Sequence, residues 1–310
     1  MHSNLIRSIL FVAAAGLCWP AMAQIKMTLG YAPANFSMAA FVAKDQGFFA
    51  KRGLDVTLQM IPILQTIPSA IVSGSLQVGV LTPPSLLLAD EGGLDLLLVA
   101  GGATQTKAHP VGGVTASDRS GIKSPADFHG KKVGVPGLNA MAHIVFQKWL
   151  KDRGADPRKV TYLEVSFPQM ADMLKGGTID AALAVEPFLS RIVGSNSGRL
   201  VSNFQVEVMD GHIEIFYVMP KQFIQKNPSA PAAFKEAIRE GIDWIANNTE
   251  SARKTQITYL KLPEQIAMSV KLPIFTVDVT RADMQFWVDL CKEFGVTKGT
   301  VTADEVLWRP

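Results

Sequence analysis

Two short polar runs stand where a strand gives way to a helix. Asn35, Phe36 and Ser37 follow the β-favourable residues 27–31 and the break at Pro33. Thr82 and Ser85 flank Pro83-Pro84 after the apolar residues 76–81. A short side-chain oxygen at such a place accepts an orphan helix N–H, so Asn35 or Ser37 predicts one cap and Thr82 another. The chemistry on offer is binding, not bond-making. A helix start presents free N–H groups and a partial positive charge, which suit a small anion. A capped helix that binds nothing is the other reading of the same residues. The sequence contains no G-x-S-x-G, P-loop, G-x-G-x-x-G or His/Cys cluster at metal spacing, so no catalytic apparatus, metal site or cofactor site is predicted.

The elements that would position these runs alternate from Gln24 onward, strand then helix, which argues for a mostly parallel sheet covered by helices. Phe36, Ala39, Ala40 and Ala43 fall on one helical face. Gly47 and Gly53, with Lys51 and Arg52, mark that helix's end, and residues 54–60 alternate as a strand. Residues 66–72 predict a short helix, and 94–100 a further apolar strand. In an open α/β sheet the ligand crevice lies beyond the carboxyl ends of the strands, which is where both polar runs fall. His109 to Gly113 breaks the rhythm. A second strand–helix block follows, with strands at 113–116, 131–135, 160–164 and 179–185. Its helices cover about 140–153, 166–174 and, opened by Glu186-Pro187, a stretch through Ile192. After a strand at 213–218 the tail is helical: 221–226, 229–247, 251–260, 264–271 and 280–294.

A chain of 310 residues holds one large or two modest domains. With 48% hydrophobic and 18% charged residues it is a packed globular protein. The net charge of +3 comes without a basic block, which gives nucleic-acid binding no support. His2 and Arg7, an apolar stretch at 9–19 and Ala21-Met22-Ala23 form the pattern of an export signal cleaved after Ala23; a core helix or short anchor is the alternative. The stretch is too short to span a bilayer. Cleavage removes Cys18 and leaves Cys291 alone, so no intramolecular disulfide forms. Cys291 lies in an amphipathic helix and is expected to be a buried apolar residue, not a nucleophile.

Four segments carry a resemblance: GYAPANFSMAAFVAKDQGFFAKRGLDV, IVSGSLQVGVLTPPSLLLA, SGIKSPADFHGKKVGVPG and MLKGGTIDAALAVEPF. In that order and spacing the chain resembles the solute-binding receptors of bacterial ABC importers, in the branch that takes sulfonates, taurine, nitrate or thiamine precursors. The resemblance implies an α/β, type II periplasmic binding protein fold. Two mostly parallel sheets flanked by helices would form two lobes, joined by two crossovers near 108–115 and 206–216. Lobe one would be 24–110 with 215–310, and lobe two 111–214. The implied protein is periplasmic and monomeric, is not an enzyme and uses no cofactor. It captures a small organic anion and passes it to a membrane permease driven by a separate ATPase.

Carried over by position, the resemblance places ligand contacts at Asn35, Phe36 and Ser37, then at Thr82 and Ser85. In lobe two it places them at Asn139, Ala140 and Met141, and at Glu186 and Phe188. Leu64 and Gln65 are further candidates. Two helix starts facing each other from opposite lobes would supply N–H donors together. Glu186 either lines the cleft or caps its own helix. His143 is expected to pack, and His109 to be a surface loop histidine. No arginine falls at any of these positions, a departure from receptors that grip an anion with a bidentate guanidinium. Together with Phe36, Met141 and Phe188, that favours an aromatic carboxylate or sulfonate over nitrate or taurine. The alternatives are a receptor for a thiamine pyrimidine precursor, a sensory module, and a pyrimidine-synthase-like enzyme. The last would need a histidine and lysine in the cleft and a cysteine-rich motif.

Overall fold

The computed structural model describes residues 24–310, and the expected export signal at 1–23 lies outside them. The first four strands are β1 (Ile25–Tyr31), β2 (Leu54–Met60), β3 (Val78–Leu81) and β4 (Leu96–Thr104). Between them run α1 (Met38–Asp45), α2 (Phe48–Lys51), α3 (Ile67–Val72) and α4 (Pro83–Glu91). The chain then builds a second sheet from β5 (Gly112–Ala116), β6 (Lys132–Val135), β7 (Thr161–Glu164), β8 (Ala181–Val185) and β9 (Arg199–Ser202). Helices α5 (Met141–Asp152), α6 (Met170–Gly176), α7 (Phe188–Gly194) and α8 (Phe204–Val208) accompany it. It returns to the first sheet with β10 (Ile213–Pro220) and β11 (Ile274–Phe275). Helices α9 (Lys221–Lys226), α10 (Ala230–Asn247), α11 (Thr249–Leu260), α12 (Glu264–Ser269) and α13 (Arg281–Glu293) complete the described chain.

The first sheet has the order β11-β4-β10-β3-β1-β2, and the second β7-β6-β8-β5-β9. Both sheets are mixed, where mostly parallel ones were expected. β1 pairs parallel with β2 and β3, and β6 with β7 and β8. But β11 pairs antiparallel with β4, and in each sheet the first strand after a crossing runs against its neighbours. β5 pairs antiparallel with β8 and β9, and β10 antiparallel with β3 and β4. A chain that arrives from the other sheet enters from the opposite end, so the reversal follows from the crossing. The crossings fall between Thr104 and Gly112 and between Val208 and Ile213. Residues 213 and 214 therefore already belong to the first sheet, two positions ahead of the boundary expected from the sequence.

Strand β9 was not expected. It has four residues, none fully buried, and pairs only with β5 at the sheet edge, so its sequence lacks the apolar signature of the other strands. The two-residue β11 is likewise beneath any periodic signal. Helix α1 is buried from Met38 to Ala43, beyond the single predicted face. It is covered on its outer side as well. Phe41 stacks on Tyr259 of α11 with centroids 4.7 Å apart. Gly241 of α10 lies so close that a Cβ there would stand 2.5 Å from the Ala39 carbonyl oxygen. One contiguous apolar cluster includes residues of both sheets, Phe36 and Phe167 among them.

Candidate functional site

The carboxyl ends of parallel strands from both sheets converge on one small pocket. Ala32, Ala34, Phe36 and Ser37 reach it from the end of β1, Leu64 from beyond β2, and Val80 and Thr82 from β3. From the second sheet come Pro136 after β6, the α5 start at Ala140, Met141 and Ala142, Phe167 after β7, and Val185 at the end of β8. Gln205 of α8 and Ile215 of β10 close it beside the crossings. The cavity measures about 40 Å³, and among the described residues no charged side chain lines it. Its exposed wall is almost wholly apolar, with Ser37, Thr82 and Gln205 the polar residues among the lining.

Of the residues singled out from the sequence, Phe36, Ser37, Leu64, Thr82, Ala140 and Met141 meet at this pocket. The others lie outside its lining. Asn35 is buried, but its Nδ2 donates to the Lys271 carbonyl at 2.9 Å. Residues 35–37 form a 3-10 turn, α1 starts at Met38, and neither Asn35 nor Ser37 caps it through its side chain. Thr82 does not cap α4 either; its hydroxyl pairs with Ser85 Oγ at 2.9 Å. Ser85 in turn donates to Gln65 Oε1 at 3.0 Å, and Gln65 Nε2 donates to the Leu138 carbonyl at 2.7 Å. That last bond ties the loop after β2 to the loop after β6, and Gln65 does not line the pocket.

Asn139 sits in the left-handed region at φ 59°, with its N–H donated to His143 Nδ1 at 3.0 Å. His143 packs edge-on against Tyr162, and burial lowers its pKa to about 4, so it is neutral. Glu186 turns to its own helix. It accepts from Ser190 N at 3.2 Å and from Ser190 Oγ at 2.8 Å, while burial raises its pKa against those bonds. Phe188 stands behind the wall, stacked on Phe167 with centroids 5.8 Å apart. His109 is exposed and bonded through Nε2 to the Leu272 carbonyl at 2.6 Å. Burial pushes the Cys291 thiol up to about 12, which keeps it un-ionised.

The start of α5 reaches the pocket from the second sheet. Its N-cap residue is Ala140, which has no side-chain oxygen, and no side chain caps the helix. The first N–H groups of a helix have no partner inside it. Met141 and Ala142 line the pocket, and the helix dipole adds partial positive charge at this end of α5. At α4, by contrast, Pro83 and Pro84 remove the first donors.

Sequence reasoning passed over Phe167 and Gln205. Phe167 follows a strand and opens a helical turn, the same signal that picked out Phe36. Gln205 lies among buried polar side chains at the crossings. Gln105 accepts from Val111 N at 2.9 Å and Gly112 N at 3.2 Å, and its Nε2 donates to Glu214 Oε1 at 2.5 Å. Glu214 is fully buried, and desolvation pushes its pKa up to about 8 against the Gln105 bond.

The solved alkanesulfonate-binding protein SsuA from Xanthomonas axonopodis pv. citri, bound to MOPS, superposes with a TM-score of 0.78 at 19% identity, over 94% of this chain and all 100% of that one. The nitrate-binding protein NrtA from Synechocystis gives 0.77 at 16% identity, over 91% and 84%. The fold is thus that of the type II periplasmic binding proteins. Among curated relatives, the nitrate/nitrite binding protein NrtA of Nostoc sp. is 26% identical over 260 residues, 76% of this chain and 58% of that protein. The formylaminopyrimidine-binding protein of Halalkalibacterium halodurans is 24% identical over 241 residues, 77% and 71%. The chain spans less than two thirds of several curated relatives, 39% in the case of the nitrate import ATP-binding protein NrtC of Synechocystis sp.. The family model described as NMT1/THI5 like matches residues 35–252, well over half the sequence, and the chain belongs to that family.

Proposed function

We propose that this protein is the solute receptor of an ABC importer, exported to the periplasm, and that it captures a small organic acid between two lobes. The lobes are residues 24–110 with 215–310, and residues 111–214, hinged at the two crossings. The bound acid passes to a membrane permease powered by a separate ATPase. The receptor acts as a monomer, without chemistry or cofactor.

The observation that carries the reading is the uncapped α5 start opening into an apolar, uncharged pocket. Free N–H groups suit an acid group, and Phe36, Met141 and Phe167 suit its apolar remainder. A bare inorganic anion would gain nothing from those side chains and finds no cation in the lining. An aromatic carboxylate or sulfonate also fits this chemistry. A ring of benzene size occupies a cavity of roughly 150 Å³, so it would need the lobes further apart than the present 40 Å³. The lack of charged lining equally favours a second reading, a neutral pyrimidine precursor like the ligand named for the Halalkalibacterium relative.

Calorimetry on the protein from Gln24 onward tests the reading, with nitrate, taurine, alkanesulfonates, small carboxylates, benzoates and formylaminopyrimidine. Micromolar or tighter binding of an organic acid is expected, with nitrate at least a hundredfold weaker. Tight nitrate binding with no organic acid bound would overturn it. Tight binding of the pyrimidine alone would establish the second reading.

A further inference from the structure

Away from the crossings, two side-chain bonds join the two proposed lobes among the described residues. One is the ion pair of Lys151 with Glu293 at 3.0 Å, whose side chains are 57% and 38% exposed, so solvent screens it. The other runs from the half-buried Gln65 to the Leu138 carbonyl at 2.7 Å, beside Leu64 and Ala140 of the pocket lining. Both sides of that second bond are arranged for it. Ser85 has one hydroxyl proton and donates it to Gln65 Oε1 at 3.0 Å, so its 2.9 Å contact with Thr82 carries the Thr82 proton. The Gln65 carboxamide is thereby oriented with Nε2 toward Leu138. On the other side, Leu138 N donates to Glu164 Oε2 at 3.1 Å, and Asn139, in the left-handed region, donates its N–H to His143 Nδ1 at 3.0 Å. Those bonds fix the turn that carries the Leu138 carbonyl. Gly137 leaves room for the Gln65 stem: a Cβ there would stand 2.9 Å from Gln65 Cγ.

We propose that Gln65 is a positioning residue that latches the two lobes shut over the pocket. The inference rests on the two-lobe receptor reading. The bond exists only while the loop after β2 and the loop after β6 lie together, so it belongs to the closed arrangement alone. A bond made only on closing raises the closed population and slows release, while capture by the open form is untouched. A hydrogen bond of ordinary net strength makes this about a fivefold effect. Gln65 stays outside the lining, so its part is to hold and not to recognise. Its relay through Ser85 ends on Thr82, which does line the pocket, so the latch and the wall are set together.

The test compares the protein from Gln24 onward with Gln65→Met, which keeps the length of the stem and loses both polar atoms. Small-angle X-ray scattering without ligand should give the variant the larger radius of gyration. A residue that only stabilised the fold would lower the urea midpoint and leave the radius unchanged. For each compound of the calorimetry panel that binds, stopped-flow fluorescence should show release about fivefold faster in the variant, with the capture rate within twofold of the wild type. Gly137→Ala should also speed release by displacing the Gln65 stem, yet add little to Gln65→Ala, which has no Cγ to displace. Where a compound binds, equal release rates, or additive effects of the Gly137 and Gln65 substitutions, would overturn the latch and leave the receptor reading standing. If no compound of the panel binds the folded wild type, the small-acid reading falls and the radii alone decide: equal radii overturn the latch, and a larger radius in the variant upholds it.

Discussion

Helices α13 and α5 begin in opposite ways. At α13, Thr280 Oγ1 accepts from Asp283 N at 3.1 Å and Asp283 Oδ2 accepts from Thr280 N at 2.9 Å, a closed capping box on the surface. At α5 the cap position holds Ala140, the residue is 1% exposed, and no side chain caps the helix, whose first residues line the pocket. Capping oxygens rank far above alanine at such a position, by about 1 kcal/mol. The chain thus forgoes a side-chain cap at α5, as it does at the starts of α1 and α4 beside the same pocket. What supports α5 instead lies one turn away: His143 Nδ1 takes the Asn139 N–H, and Glu164 Oε2 takes the Leu138 N–H at 3.1 Å. The pre-helix turn is held from behind, and the helix mouth stays open.

The largest expected effect concerns that support. The folded pKa of His143 lies at about 4, below its ordinary 6.5. Between those values the unfolded chain binds the extra proton, so stability is lost as pH falls from 6.5 to 4. The full contribution is about 3 kcal/mol. In His143→Gln the amide oxygen can still receive the Asn139 N–H without titrating. Urea unfolding of both proteins across this range should show the wild type losing that amount relative to the variant. Glu214, raised to about 8 from 4.5, has the opposite sign: its stabilisation fades as pH rises through that window. It is common to both proteins and cancels in the difference. Parallel curves would show that the α5 turn does not depend on a neutral imidazole, and would weaken the contrast with α13.

Next in size is a cap placed where none exists. Ala140 has extended backbone at φ −81° and ψ 171°, the conformation a capping residue adopts. Ala140→Asp would occupy the α5 donors with its own carboxylate and set a negative charge against an incoming acid. Ligand affinity should fall at least a hundredfold, about 2.7 kcal/mol, while the ligand-free protein unfolds at the same denaturant concentration or a higher one. Undiminished binding in the variant would remove the helix mouth from the site.

Much of this contrast could be read in the sequence, and the reasons for what could not are local. The strand–helix alternation survived because its strands are apolar runs ending at helix starts; β2 was expected at 54–60 and spans Leu54–Met60. The rule that ligands gather beyond strand ends picked out Phe36, Ser37 and Thr82, the resemblance added Ala140 and Met141, and all five meet at one pocket. It failed where a polar side chain had a nearer partner. Glu186 turned to Ser190, Asn35 to Lys271, and Gln65 across to Leu138. Spacing shows that a polar residue stands at a strand end, but not which backbone group passes within 3 Å of it. Gln205 was missed for the converse reason. It sits between the buried Phe204 and Val206 in a five-residue helix, and only the return of β10 to the first sheet places that helix beside the pocket.

The smallest expected effect sharpens the comparison from its closed side. Thr280→Ala removes the hydroxyl that accepts from Asp283 N and opens the box. The loss should be about 1 kcal/mol of stability, seen as a lower urea midpoint with an unchanged slope. Ligand affinity should stay within twofold of the wild type, because α13 contributes nothing to the pocket lining. Set beside Ala140→Asp, this gives a crossed pattern in which one change costs stability and spares binding while the other spares stability and costs binding. If Thr280→Ala weakened the ligand as strongly as it weakened the fold, the two helix starts would be energetically coupled through the first sheet. The absent cap at α5 would then belong to a shared stability balance and not to ligand binding alone.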